Sequence, residues 1–342
     1  MYVRKAQKVG NSTLAVTLPS EWATENQVGK GDSIVIEASD RGVLTVLPES
    51  KTAQGAKGII HAETLDQKSL ERVIIGQYVL GRQVIAVENE NGLTAEQRDA
   101  VYNVQTQLMG LGIVEEKPES MIVRCSVGSE DFDINNMIER LENTASTMRN
   151  DAVKAFIQGD DNSAQRVIRQ EKQANKIFVL LLRLIFTGYQ NPRQIKALGL
   201  ENGFSLIGYR SIVKNLELTA DNAEDIATNI IESNEDSLKI NNRVMRKIDD
   251  LNTKINTLSL LSMDAIKKQK YDLYIDCISQ YQEIQATEKE LLETVPEVTN
   301  SELLLIREII VSLHQTAEYA IRNAEVSANF SLNQSSKYVD VI

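Results

Sequence analysis

The sequence predicts a multidomain α+β protein: a short β-rich segment, a small α+β segment, and then a long all-α body. Three observations lead there. Twelve of the 17 glycines fall within the first 128 residues, so the front of the chain is rich in turns. From Glu119 onward there are two prolines, Pro192 and Pro296, each between long helical patterns. Apolar residues alternate early in the chain and recur with helical spacing from Asn135 onward. At 342 residues, the chain is also too long for one core to be the default.

Residues 1–50 read as four short strands and one helical turn. Tyr2 to Lys8 predicts a strand, Gly10-Asn11-Ser12 a turn, and Leu14, Val16 and Leu18 a second alternating strand. Ser20 is the expected N-cap of a short helix carrying Trp22. Gly29-Lys30-Gly31-Asp32 turns the chain into Ile34 and Ile36, and Asp40-Arg41-Gly42 predicts a hairpin into Val43 to Leu47. A unit this thin seldom sustains a core alone, so dimerisation through it is expected, with Trp22 as an anchor.

Residues 58–128 predict a βαβαββ order. Strands are expected at Gly58–Glu63, Val84–Glu88, Gly112–Glu116 and Met121–Val127, and helices at Asp66–Leu80 and Thr94–Met109, both on one face of the sheet. No nucleotide-binding or catalytic spacing occurs here. From there, helices are expected at 135–158, 162–187, 204–232, 235–268, 271–294 and 300–330. In the fourth, Val244, Ile248, Leu251, Ile255 and Leu258 follow a 4,3,4,3 spacing that belongs to a bundle seam. Glu171 to Asn175 in the second helix corresponds to Glu283 to Thr287 in the fifth, which points to two three-helix repeats, at about 135–232 and 235–330.

Composition excludes several classes. The apolar run from Ile177 to Phe186 is broken by Arg183 and falls far short of the ~20 residues a bilayer requires, so membrane insertion is not expected. Cys125 and Cys277 have no CxxC spacing, which argues against a disulfide framework or a zinc site. The first residues are charged and alternating, unlike a signal peptide, and a reducing cytoplasm is the expected compartment. His61 and His314 are the only histidines and stand far apart in the chain, so a histidine-dependent triad is not expected and the protein reads as a non-enzyme. The net charge of −11 is uneven: residues 130–342 hold 24 basic and 32 acidic residues, or −8 of it, whereas residues 1–20 carry Arg4, Lys5 and Lys8 and no acid before Glu21.

The N-terminal residues also resemble a known family. The segments VRKAQKVGNSTLAVTLPSEWA and VGKGDSIVIEASDRGVLTVLPE look like the AbrB/SpoVT/MazE swapped-hairpin DNA-binding domain, matched from Val3 to Glu49. The resemblance implies two chains interleaved into one β body, with basic side chains of the first strand on duplex DNA. In this sequence those are Arg4, Lys5 and Lys8, with Asn11, Ser12 and Thr13 adding neutral hydrogen bonds. The residues alone leave a second reading open, a solvated strand whose lysines blunt an exposed edge; the resemblance favours DNA.

Further on, DAVKAFIQGD, RQEKQANKIFVLLLRLI and KNLELTADNAEDIATNI are similar to the PhoU family over about 138–330, which implies two three-helix repeats. The joined order is similar to archaeal phosphate-uptake regulators. It implies a homodimeric DNA-binding regulator of phosphate uptake, with a phosphate-transporter ATPase or sensor kinase as the partner of the helical body.

Glu217, Asp221 and Asp225 recur every four residues, placing three carboxylates along one helical stripe. Such a stripe calls for cations, basic partners or protonation, and hard oxygen ligands suit Mg, Mn or iron. The PhoU resemblance implies a divalent metal or iron in the first repeat, with Glu171 on the neighbouring helix joining the set. A solvated acidic stripe with Lys or Arg partners is the competing reading. At the equivalent places in the second repeat stand His314, Glu318 and Arg322, where Arg322 can pair with Glu318 and replace a cation.

Overall fold

The computed structural model describes residues 2–38, 42–48, 57–200, 203–233, 241–294, 300–333 and 335–340. The chain divides into two compact units, Met1–Ala56 and Lys57–Ile342.

In the first unit, β1 (Gln7–Val9) pairs antiparallel with β2 (Thr13–Ala15), Lys8 opposite Leu14, around a turn in which Gly10 takes φ +67°. Helix α1 (Ser20–Glu25) follows, then the hairpin of β3 (Ile34–Ala38) and β4 (Leu44–Pro48), with Gly42 at φ +73°. The expected strand from Tyr2 to Lys8 is mostly absent, so Arg4 and Lys5 precede the strand instead of lying on it. The register explains this. Gln7 lies opposite Ala15, where β2 ends, so residues 2–6 have no strand of this hairpin to pair with. Ser20 is not the cap either: Pro19 holds the N-cap position and α1 begins at Ser20 with no side-chain cap. Asp40 and Arg41 of the expected hairpin turn lie outside the described residues.

The second unit opens with a four-stranded sheet in the order β5-β6-β8-β7, formed by β5 (Lys57–His61), β6 (Val84–Glu88), β7 (Leu111–Glu116) and β8 (Ser120–Cys125). β5 and β6 are parallel, and β8 runs antiparallel to both neighbours. The expected βαβαββ order is present. Asp66 caps α2 (Gln67–Val79) by accepting from the Ser69 amide at 2.7 Å, and Thr94 forms a capping box with Gln97 at the start of α3 (Ala95–Gln107). Ile60, Ile85, Val87, Met121 and Val123 are buried together with Leu70, Ile74 and Tyr78 of α2 and Ala100, Val101 and Val104 of α3.

Among the described residues, seven α-helices follow: α4 (Ile134–Gln158), α5 (Asp161–Gln190), α6 (Pro192–Ala197), α7 (Phe204–Glu232), α8 (Asn242–Lys268), α9 (Tyr271–Thr294) and α10 (Asn300–Ser331). α4, α5 and α7 pack as one three-helix repeat and α8, α9 and α10 as the other. Val244, Ile248, Leu251, Ile255 and Leu258 are all buried, as the 4,3,4,3 spacing requires. Gly159, at φ +62°, ends α4 in the left-handed conformation that favours glycine. The short α6 was not expected; Pro192 opens it at a position where a missing N–H costs nothing. α8 starts at Asn242 with Asn241 as its cap, and the expected start at 235 lies outside the described residues.

The repeats meet along α7 with α10 and along α4 with α8, and both seams carry polar residues. Arg149, 1% exposed, donates to Asn252 Oδ1 at 3.0 Å, Asn256 Oδ1 at 2.7 Å and Ser259 Oγ at 3.5 Å. On the other seam, Asn215 donates to Asn323 at 2.8 Å and Asn222 to Thr316 at 3.3 Å. A third polar contact joins the sheet layer to the bundle. Buried Arg183 of α5 donates to the carbonyls of Tyr78 at 2.6 Å and Arg82 at 3.1 Å, which neutralises the C-terminal end of α2.

Candidate functional site

Two groups of residues carry chemistry, one in each unit. In the first unit, Arg4, Lys5 and Lys8 are all exposed, as are Asn11 and Ser12 in the turn and Thr13 at the start of β2. Arg4 lies over the Tyr2 ring, 5.7 Å from its centroid, and Tyr2 donates to Glu21. The cations therefore sit on a hairpin and the extended chain before it, where water screens them and an incoming polyanion can reach them. Around them the unit leaves its own apolar surface uncovered: Val3, Val9, Leu14, Val16, Ile36 and Leu44 are all more than half exposed. Trp22 is half-buried, and Pro48 is the one buried residue among those of this unit whose burial is described.

In the second unit, the carboxylates lie between α5 and α7. Burial raises Asp221 to about 6, and the charge of Glu217 adds to the shift while Lys214 opposes it. Glu171 on α5 is also raised, by burial first and then by Glu224 and Glu217. Glu171, Glu217 and Asp221 are near enough for their charges to act on one another, whereas Asp225 stands apart from that group. Glu217 is ion-paired with Lys214, whose ammonium lies 5.4 Å from the Phe178 ring centroid. Asp225 is exposed; partial burial raises it first, and the charge of Glu308 of α10 adds to the shift. Among the described residues, no group of three histidine, cysteine or carboxylate side chains could hold a metal ion. This donor set, with a lysine already bound to one carboxylate, does not fit a metal cage.

Sequence reasoning missed Lys214 and Glu224. Both were readable by spacing: Lys214 stands three residues before Glu217, and Glu224 stands seven after it, closer to one stripe than Asp225.

The second repeat replaces the carboxylate seam with ion pairs. His314 Nδ1 lies 2.8 Å from Glu288 and Nε2 3.8 Å from Glu318, and Arg322 donates to Glu318 at 3.0 Å. Lys254 donates to the buried Thr287 hydroxyl at 2.6 Å. Among the described residues no helix is long and apolar enough to cross a membrane.

The family model described as the PhoU domain matches residues 138–230, the span of α5 and α6 with most of α4 and α7. The model for the antidote-toxin recognition protein MazE, a bacterial antitoxin, matches residues 7–54. A crystal structure of PhoU from Pseudomonas aeruginosa is similar to this chain, with a TM-score of 0.50 at 19% sequence identity, covering 58% of this chain and 95% of that one. At that identity the likeness speaks for the fold. A search of curated proteins gave no match. The two-part architecture read from the sequence, a MazE/AbrB-like segment ahead of PhoU-like helices, is the architecture of the protein.

Proposed function

We infer that this chain is a homodimeric, DNA-binding transcriptional regulator of phosphate uptake, in which the first unit holds duplex DNA and the PhoU-fold bundle reports phosphate status through a partner. The observation that carries this reading is the run of exposed cations Arg4, Lys5 and Lys8 on a MazE-like unit, free of carboxylates until Glu21, in a protein of net charge −11. The uncovered apolar surface of that unit supports dimerisation, since burying it against a second copy supplies the core that one copy lacks. A dimer presents six such cations. With each neutralising a phosphate, affinity should fall with salt at a slope of about −5 in log–log form.

Fluorescence anisotropy with duplex DNA across a salt series tests this directly. The Arg4→Ala, Lys5→Ala, Lys8→Ala variant should bind far more weakly and with a flattened slope; unchanged affinity and slope would refute the DNA reading. A second reading is an adaptor that acts by protein contact on a transporter ATPase or sensor kinase, with the first unit serving to dimerise. The acidity of the helical body, −8 over residues 130–342, favours it, because that surface repels DNA and suits a basic protein partner. A chain lacking residues 1–56 that still regulates transport would decide for the adaptor.

A further inference from the structure

Among the described residues, helices cover one side of the sheet of the second unit. Gly58, Ile60, Ile85, Val87, Met121 and Val123 face α2 and α3, and α5 of the bundle packs behind those helices. The alternate residues form three rows on the other side. Strand register places Lys57, Val84, Arg124 and Gly112 in the first row, Ile59, Ala86, Ile122 and Glu115 in the second, and His61, Glu88 and Ser120 in the third. Ile59 is 51% exposed, and Lys57 and Arg124 are exposed. Lys57, Arg124 and Glu88 have no ion pair with any described residue. One end of this face is therefore basic and the other carries Glu88; the middle row has Ile59 and Ile122 on either side of a fully buried Ala86, with Glu115 at the β7 edge paired to Lys117.

The geometry points to a second copy of the same chain on this face, the two sheets packing against each other about a two-fold axis. Self-complementarity selects the occupant and also the axis. A half-turn about an in-plane axis perpendicular to the strands reverses the row order and keeps each strand over its own counterpart. Glu88 on β6 then falls over Val84 of the other copy, between Lys57 on β5 and Arg124 on β8, and the same contact forms a second time by symmetry. An axis parallel to the strands would instead stack basic row on basic row.

The face measures roughly 19 by 16 Å at about 4.8 Å per strand and 3.3 Å per residue, well below the ~800 Å² per partner of a standard interface. It is thus too small to hold a dimer by itself. Its strength rests on the proposed dimer of the first unit: only eight residues separate Pro48 from Lys57, at most about 29 Å of chain, so dimerised first units hold the two sheets at high effective concentration.

Packed sheets lie about 10 Å apart, within reach of a short bis-maleimide. In the full chain, Ile59→Cys places a thiol opposite its own symmetry mate, while native Cys125 and Cys277 are buried. The expected result is a cross-linked dimer, a roughly tenfold lower yield when Glu88→Lys is added, and recovery when Lys57→Glu and Arg124→Glu are added as well. Light scattering on the same samples separates the two readings. A dimer that does not cross-link at Ile59→Cys, or whose yield Glu88→Lys leaves unchanged, overturns the sheet contact and leaves the N-terminal dimer standing. A monomeric chain overturns the N-terminal dimer, and the sheet contact then survives only if cross-linking appears at raised protein concentration.

Discussion

Asp221 is the residue whose ionisation costs the fold most visibly. Its folded pKa of about 6 lies above the ordinary aspartate value, so the folded state holds a proton that the unfolded chain releases. The sign follows: the penalty is absent below about pH 4, develops as pH rises through the folded pKa, and is complete near neutrality. Asp221→Asn should therefore raise unfolding free energy in urea more at pH 7.5 than at pH 4, by on the order of 1 kcal/mol after discounting for its half-exposed position. Equal gains at both pH values would refute the assignment. Arg149 shows the opposite dependence on partners. Its buried guanidinium is held by Asn252, Asn256 and Ser259, so Arg149→Met leaves polar groups of α8 unsatisfied and should cost about 2–3 kcal/mol in urea unfolding. Asp221 belonged to a stripe visible in the sequence, whereas Arg149 is an ordinary surface residue type that only packing reveals as central.

Two glycines in different helices make opposite predictions at the scale of elements. A Cβ on Gly208 of α7 would come within 2.3 Å of the Phe330 ring and 2.6 Å of Val326 on α10. That ring also packs on Tyr209 at 5.6 Å, so it has little room to yield. Gly208→Ala should lower stability by about 1 kcal/mol or more despite its gain in helix propensity. Gly76 in α2 has open space around it, and Gly76→Ala should raise stability by about 0.5–1 kcal/mol in the same chemical denaturation assay. Most helix starts were legible because Asp66 and Thr94 precede periodic apolar runs. Strand β1 was not: alternation from Tyr2 to Lys8 describes a strand, yet a strand requires a partner, and β2 supplies one only as far as Ala15. The acidic stripe was likewise legible as a helical repeat, but its partition between Lys214, Glu171 and Glu308 depended on which helices became neighbours.

For the whole molecule, two compact units predict two unfolding transitions in calorimetry, the one from residues 57–342 retained after removal of residues 1–56. A single transition lost entirely on that truncation would contradict independent folding of the second unit. The charge distribution acts at the same scale. An overall charge of −11 opposes DNA, but the cations ahead of Glu21 and the −8 of residues 130–342 assign attraction and repulsion to different parts of the chain.

The sequence by itself determined the division into β-rich, α+β and helical segments, the two three-helix repeats, and the basic character of the leading segment. These rest on local periods, caps and charge order, which a chain carries whether folded or not. Tertiary structure decided the rest. It gave Glu217 to Lys214, set Asp225 near the like charge of Glu308, buried Arg149 between the repeats and put α2 and α3 on one face of the sheet. Each of these depends on which surfaces meet across more than one element, and no local pattern encodes that choice.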